Sequence, residues 1–375
     1  MIIDAHTYCF QPGNSPAGFA RVEDRLMWIQ SEHGAHHQPA WRIRDRKLAT
    51  STGLGPVNAS AWSALPDVNF RIDSEAGRVV WTIDGEDYTK QFYPPNLRNL
   101  EFTPHSLIAE MDYAGVDMAL LHTNPMLGRD CAYLSACVQA YPDRFRSMAP
   151  VDEWRIVHEP DAVIEEISTA ITFHKLHAVK FNATLAYLGS SHTWDDGPYR
   201  SFWKAVASLN VPVFFTLGAG PELGYRPDQK QGYLDELGVL MRWMNRYPNI
   251  VCSITHGFPW RVFFDGTSTT LPNDIWTPFQ NPNLSLEVCF PVRLGDLIDY
   301  PYQEIWPTFA DLIQHLGADR LLWGTDMPFQ NRFCTYRQSR DWIEKYDHGL
   351  SKEEQAMIMG GTANRILGLE KLVID

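Results

Sequence analysis

Eight short apolar runs, most of them separated by stretches of helical periodicity, set the strongest limit on what this chain can fold into. They span residues 1–8, 117–122, 147–151, 177–182, 211–216, 250–256, 284–289 and 320–326. Short runs rich in Val, Ile, Leu and Phe read as strands buried on both faces. Strands that alternate with helices pair in parallel, because a crossover must carry the chain back before the next strand can align. Eight such units close on themselves. The predicted fold class is therefore α/β, a (β/α)8 TIM barrel, in one domain over residues 1–375.

Helix signals fill most gaps. Thr103-Pro104 supplies a capping hydroxyl and a first-turn proline. Further helices are predicted over 133–141, 160–172, 199–208, 231–247 and 302–316, and Ser351 to Glu354 is a capping box for the last, which Gly368 ends. Two stretches break the rhythm. Residues 9–101 form a long insertion after the first strand, with a hairpin predicted over 78–92 around Asp84-Gly85. Residues 257–282 form a lid-like loop after the sixth strand. Segments that follow barrel strands lie at the catalytic face, so both are expected to shape a pocket.

Composition excludes some partners. With 32 Lys plus Arg against 45 Asp plus Glu, the net charge is −13, and no basic stripe is present to bind nucleic acid or an anionic membrane. No apolar stretch reaches the roughly 18 residues of a membrane span, and the N-terminus lacks the pattern of a secretory leader. Six scattered cysteines without a Cys-x-x-Cys pair read as free thiols of a cytoplasmic protein.

Polar residues at strand ends carry the candidate chemistry. Strand alternation predicts that Asp4, His6 and Tyr8 share one face, and buried polar groups need partners. His256 ends the sixth strand before Gly257, and Asp326 follows the last strand in WGTDMP. Histidine and aspartate there are suited to proton transfer. Lys180 on the fourth strand is a candidate substrate-binding residue. His122 and Asn124, after the second, read as pocket wall or as polar rim. Glu287 lies within the apolar seventh strand and needs a partner. Arg293 is either that partner or a binder of an anionic substrate. The cluster Trp28, His33, His36, His37 and Trp41 either lines the pocket or, as expected for most of it, covers a dimer surface, and a homo-oligomer is predicted.

In order and spacing, IDAHTY, MDYAGVDMALL, AYPDRFRSMAPVD, ITHGFP, RLLWGTDMP and GTANRILGL resemble motifs of a known family. It is the amidohydrolase-related family that includes aminocarboxymuconate-semialdehyde decarboxylase and the dihydroxybenzoate and resorcylate decarboxylases. The resemblance covers about residues 1–8 and 103–370. It implies that His6 is a first-strand metal ligand, His256 the catalytic histidine and Asp326 the final-strand aspartate. Two departures stand out. The family's first strand offers His-x-His or Glu-x-His, where this chain has Asp4, His6 and Tyr8. The histidine that ends its fifth strand is replaced by Thr216. The expected cofactor is a divalent metal, zinc or manganese, on His6 and Asp326 with Asp4 or Tyr8, and no organic cofactor. The implied activity is non-oxidative decarboxylation of a small aromatic or unsaturated carboxylic acid. The alternative is a hydrolase that opens a lactone or ring amide, in which no metal is needed. A barrel that binds a metabolite without chemistry is the third reading, against which the retention of His256 and Asp326 argues.

Overall fold

Alternating apolar runs and helices become a barrel, and the insertion becomes a small sheet of its own. In the computed structural model, which describes residues 1–55, 65–219, 228–346 and 349–369, β1 is Ile3–Thr7. The insertion then contributes β2 (Ala40–Arg42), β3 (Arg71–Asp73), β4 (Arg78–Ile83) and β5 (Glu86–Lys90), an antiparallel sheet in the order β2-β5-β4-β3. The barrel resumes with β6 (Met118–Leu121), β7 (Phe145–Ala149), β8 (Ala178–Asn182), β9 (Val213–Thr216), β10 (Cys252–Ile254), β11 (Leu284–Val288) and β12 (Leu321–Trp323). Neighbours pair in parallel from β1 through β6 to β12. The chain after β12 returns to β1. Asp326 N donates to His6 O and Tyr8 N donates to Met327 O, each at 2.9 Å.

Differences from the sequence reading are local. The third barrel strand lies two residues earlier than the run over 147–151, and it stops before Pro150, which has no N–H to continue the ladder. The predicted hairpin forms around Asp84-Gly85, and Asp84 adopts φ +50° beside Gly85 at +77°. Thr103 and Ser351 cap their helices as read. Helices dock on the barrel through large side chains. In the helix Arg200–Leu209, Trp203 packs on Phe181 of β8 with ring centroids 4.6 Å apart, and Trp243 of the helix Gln229–Arg246 packs on Phe215 of β9 at 4.8 Å. A floor of Ile3, Ala5, Leu120, Met148, Phe214 and Leu322 fills the barrel below the polar residues. All six cysteines are free, and no described helix is long and apolar enough to cross a membrane.

A buried lysine holds parts of the insertion together. Lys90 at the end of β5 donates from Nζ to His33 O (2.6 Å) and to His36 O, at the C-terminal end of the helix Val22–Ala35, where a cation is favoured. His33 itself is fully buried. Its Nδ1–H donates to Ile29 O at 2.7 Å, and its Nε2 has no partner. Burial holds its pKa down from 6.5 to about 3. The folded-state pKa lies below the unfolded one, so the neutral form's contribution is complete above about pH 6.5 and is lost as pH falls toward 3. His33→Leu should therefore flatten the decline of unfolding free energy over that window by a few kcal/mol, measured by urea titration at stepped pH. Parallel pH curves for the two proteins would contradict this assignment.

Candidate active site

β1 does not alternate cleanly, and that irregularity builds the site. Its register with β6 shifts between Asp4 and Thr7. Below the shift, Ile3 and Ala5 join the barrel floor. Above it, His6 enters the barrel and Tyr8 joins it at the mouth. With its proton on Nδ1, His6 donates to Glu287 of β11 at 2.9 and 3.0 Å. The Tyr8 hydroxyl lies 2.8 Å from Nε2, and Asp326 Oδ1 lies 3.2 Å from the same nitrogen. His256 Nε2 is also 3.2 Å from Asp326 Oδ1. The His6 and His256 rings stack with centroids 4.4 Å apart. Thus the ends of strands one, six and eight meet at one carboxylate.

Local backbone geometry holds these groups in place. His256 and Asp326 adopt φ +63° and +62°, the left-handed region that side-chain-bearing residues seldom occupy. Gly257 is required, since a Cβ there would lie 2.7 Å from Glu287 O. Gly324 is required as well: a Cβ would lie 2.6 Å from Glu287 Oε1. Gly257 thus clears the Glu287 carbonyl, and Gly324 makes room for the buried carboxylate behind His6. Burial opposes ionisation of Glu287, but the charge and hydrogen bond of His6 outweigh it and its pKa is lowered. Asp326 is likewise held low against burial, by the hydrogen bond and charge of His256. Burial and the neighbouring His6 push His256 down to about 4.

Deeper in the barrel, Lys180 Nζ donates to Thr255 Oγ1 at 2.9 Å and lies 3.4 Å from His122 Nδ1. Burial lowers its pKa to about 8. Lys180, Asn124, Thr216, Tyr8 and His256 line one lobe of a cavity. The same Tyr8, Asn124, Thr216 and His256 continue into a larger lobe of about 540 Å³, walled also by Asp326, Arg293 and Arg332.

Several expectations need correction. Asp4 does not join His6 and Tyr8, because the register shift turns it the other way. Its carboxylate accepts from Thr325 Oγ1 (2.5 Å), Thr325 N (3.1 Å), Tyr336 OH (2.7 Å) and His6 N (2.9 Å), which leaves it no role as a ligand. His122 is neither pocket wall nor rim. It is 1% exposed, stacks on His6 at 3.6 Å and donates from Nε2 to Ala5 O at 2.7 Å. Glu287 finds His6 as its partner, not Arg293. Of the aromatic and histidine cluster in the insertion, Trp28 and His33 are buried, and His36 and His37 line the cavity. Two lining residues have no antecedent in the sequence reading. Glu153 is buried after β7 with Oε2 unpartnered and its pKa raised to about 8 by burial, and Arg332 lies in the turn after β12.

The donors fit a divalent cation. Ligand atoms of His6, His256 and Asp326 all lie within 4.8 Å of one another, as do those of His6, His122 and Glu287. The second group is spent internally, since Glu287 accepts the His6 proton and both nitrogens of His122 are engaged. In the first, His6 Nε2 faces a carboxylate oxygen of Asp326 at 3.2 Å with the Tyr8 hydroxyl 2.8 Å from the same nitrogen, a set of nitrogen and oxygen donors that a cation could share. The carboxylate behind the histidine is the usual device for orienting a metal-binding imidazole.

A parallel barrel with histidines and a carboxylate gathered at the C-terminal ends of its strands is the architecture of a barrel enzyme. Residues 109–369 match the amidohydrolase family, and the chain belongs to it. Among curated proteins, none matches the sequence. Solved structures of similar fold include 5-carboxyvanillate decarboxylase from Sphingomonas paucimobilis, at 17% identity over 98% of each chain with a TM-score of 0.57. A probable 2-pyrone-4,6-dicarboxylic acid hydrolase from Acinetobacter baumannii aligns at 17% identity over 74% of this chain and 92% of that one, with a TM-score of 0.51. A dihydroxybenzoic acid decarboxylase from Polaromonas, with bound manganese and an inhibitor, aligns at 18% identity over 72% and 87%, with a TM-score of 0.50. At these identities the likeness establishes the fold.

Proposed function

We propose that this enzyme removes carbon dioxide from a small aromatic or unsaturated carboxylic acid. The observation that carries the reading is the His256–Asp326 contact of 3.2 Å on the wall of a cavity whose inner lobe is lined by Lys180. The Lys180 ammonium attracts the carboxylate into the barrel. A bound anion raises the proton affinity of the neighbouring carboxylate and imidazole, so the His256–Asp326 pair takes up a proton as the acid arrives. That proton passes to the ring carbon bearing the carboxylate. The carbon–carbon bond then breaks, its electron pair returns to the ring and carbon dioxide leaves. A divalent cation, zinc or manganese, would be held by His6 and Asp326 beside Tyr8, and when bound it draws electron density from a substrate oxygen. His256 then remains the proton carrier. The small molecule is the partner of this site; we place the enzyme in the cytoplasm as a homo-oligomer over a single domain.

Release of labelled carbon dioxide from carboxyl-labelled hydroxybenzoic acids tests the reading. Turnover of lactones or ring amides with no release from any acid would replace it by hydrolysis, with Asp326 taking a proton from water. Metal content separates the roles of the ligands. Near-stoichiometric metal in the wild type should fall at least about tenfold in His6→Ala and be retained in His256→Ala, by elemental analysis of protein prepared without chelator. Full metal in His6→Ala would remove His6 from the ligand set.

A further inference from the structure

Two guanidinium groups line the outer lobe of the cavity with no carboxylate against them. Arg293 lies in the short helix Phe290–Leu294 after β11, and its Nε is buried with no hydrogen-bond partner. Arg332 donates from Nε to Phe329 O at 3.0 Å, approaches His36 Nε2 at 3.4 Å and lies over the rings of Phe92 (5.6 Å) and Phe333 (4.9 Å). Among the described residues, the acids of this wall form no ion pair with either arginine: Glu32 also lines the lobe and pairs with neither. Asp296 pairs with Arg261 at 2.6 Å and with His37 at 3.2 Å, and Asp326 pairs with His6 and His256. Among the described residues, neither Arg293 nor Arg332 has an ion-pair partner. A partly desolvated cation without an anion is unfavourable, and two repelling ones in a single wall are more so. An oxyanion entering the cavity resolves both, and the guanidinium fork matches the two oxygens of a carboxylate.

Placement adds the second half of the argument. Lys180 lines the inner lobe, and Arg293 with Arg332 walls the outer one. His256 and Tyr8 belong to both. His256 therefore borders both the lobe that holds Lys180 and the lobe that holds the two arginines. We infer that the substrate is a dicarboxylate, with the carboxylate that reacts directed toward Lys180 and a second, unreacting carboxylate held by Arg293 and Arg332. This inference rests on the carboxylic-acid reading above.

Isothermal titration of benzoate and of benzene-1,2-, 1,3- and 1,4-dicarboxylate into the full-length protein tests it without turnover. At least one dicarboxylate should bind roughly tenfold or more tightly than benzoate. Arg293→Gln and Arg332→Gln should each reduce that advantage at least about fivefold and leave benzoate binding unchanged. If Arg332→Gln fails to fold, Arg293→Gln decides alone. Equal affinities across the four acids, no measurable binding by any of them, or an advantage that survives substitution of Arg293 would overturn the inference. A dicarboxylate preference without carbon dioxide release from any acid would instead keep this subsite and remove the decarboxylase reading. Turnover of monocarboxylates without a dicarboxylate preference would do the reverse.

Discussion

Asp326→Asn and His256→Asn are each expected to lower turnover by roughly a thousandfold or more, with a melting temperature within a few degrees of the wild type. Asparagine is the informative replacement. Both positions have positive φ, which asparagine tolerates better than alanine, so the backbone keeps its turn while the proton-transfer group is lost. Both side chains line the cavity, so their removal opens no void in the packed core. Steady-state rates and thermal melts on the same preparations check this. Near-wild-type turnover in either variant would mean that the proton comes from elsewhere, with Glu153 the first alternative on geometric grounds.

Asp4→Ala is expected to act in the opposite sense, on stability first. The substitution removes one carboxylate that accepts four hydrogen bonds, from His6 N, Thr325 N, Thr325 Oγ1 and Tyr336 OH, in a fully buried position. Those donors join the first strand, the turn after the last strand and the helix Tyr336–Glu344, so the residue fastens the seam where the barrel closes. Leaving several buried donors unpaired costs about 3–5 kcal/mol. Urea unfolding should show that loss, while metal bound per folded molecule stays at the wild-type value. An unchanged unfolding midpoint together with lost metal would return Asp4 to the ligand set.

The barrel was legible because strands buried on both faces read as unbroken apolar runs, whatever their partners. His256 and Asp326 were legible for a different reason. A polar residue at the end of such a run, next to Gly257 or before Met327-Pro328, marks a sharp turn at the barrel mouth. Asp4 misled because period-two alternation assumes a regular strand, and a register shift is set by pairing with β6 and by the closure against Thr325. Glu287 announced that it needed a partner, but His6 is 281 residues away and no spacing rule spans that distance. Arg332, His36 and His37 reach the cavity through loop and insertion packing. For His36 and His37 that packing includes Lys90 binding the end of the helix Val22–Ala35, a contact 57 residues apart in the chain.

The most direct test of the reaction centre is the fate of the proton. Carried out in D2O with a carboxylic acid that the enzyme turns over, the reaction should release one carbon dioxide per product. By mass spectrometry and NMR, that product should carry one deuterium, at the ring carbon that bore the carboxylate, and Asp326→Asn should form essentially none of it. A product that retains the carboxylate and has gained the elements of water would contradict decarboxylation, and undiminished product from Asp326→Asn would contradict the centre assigned to His256 and Asp326.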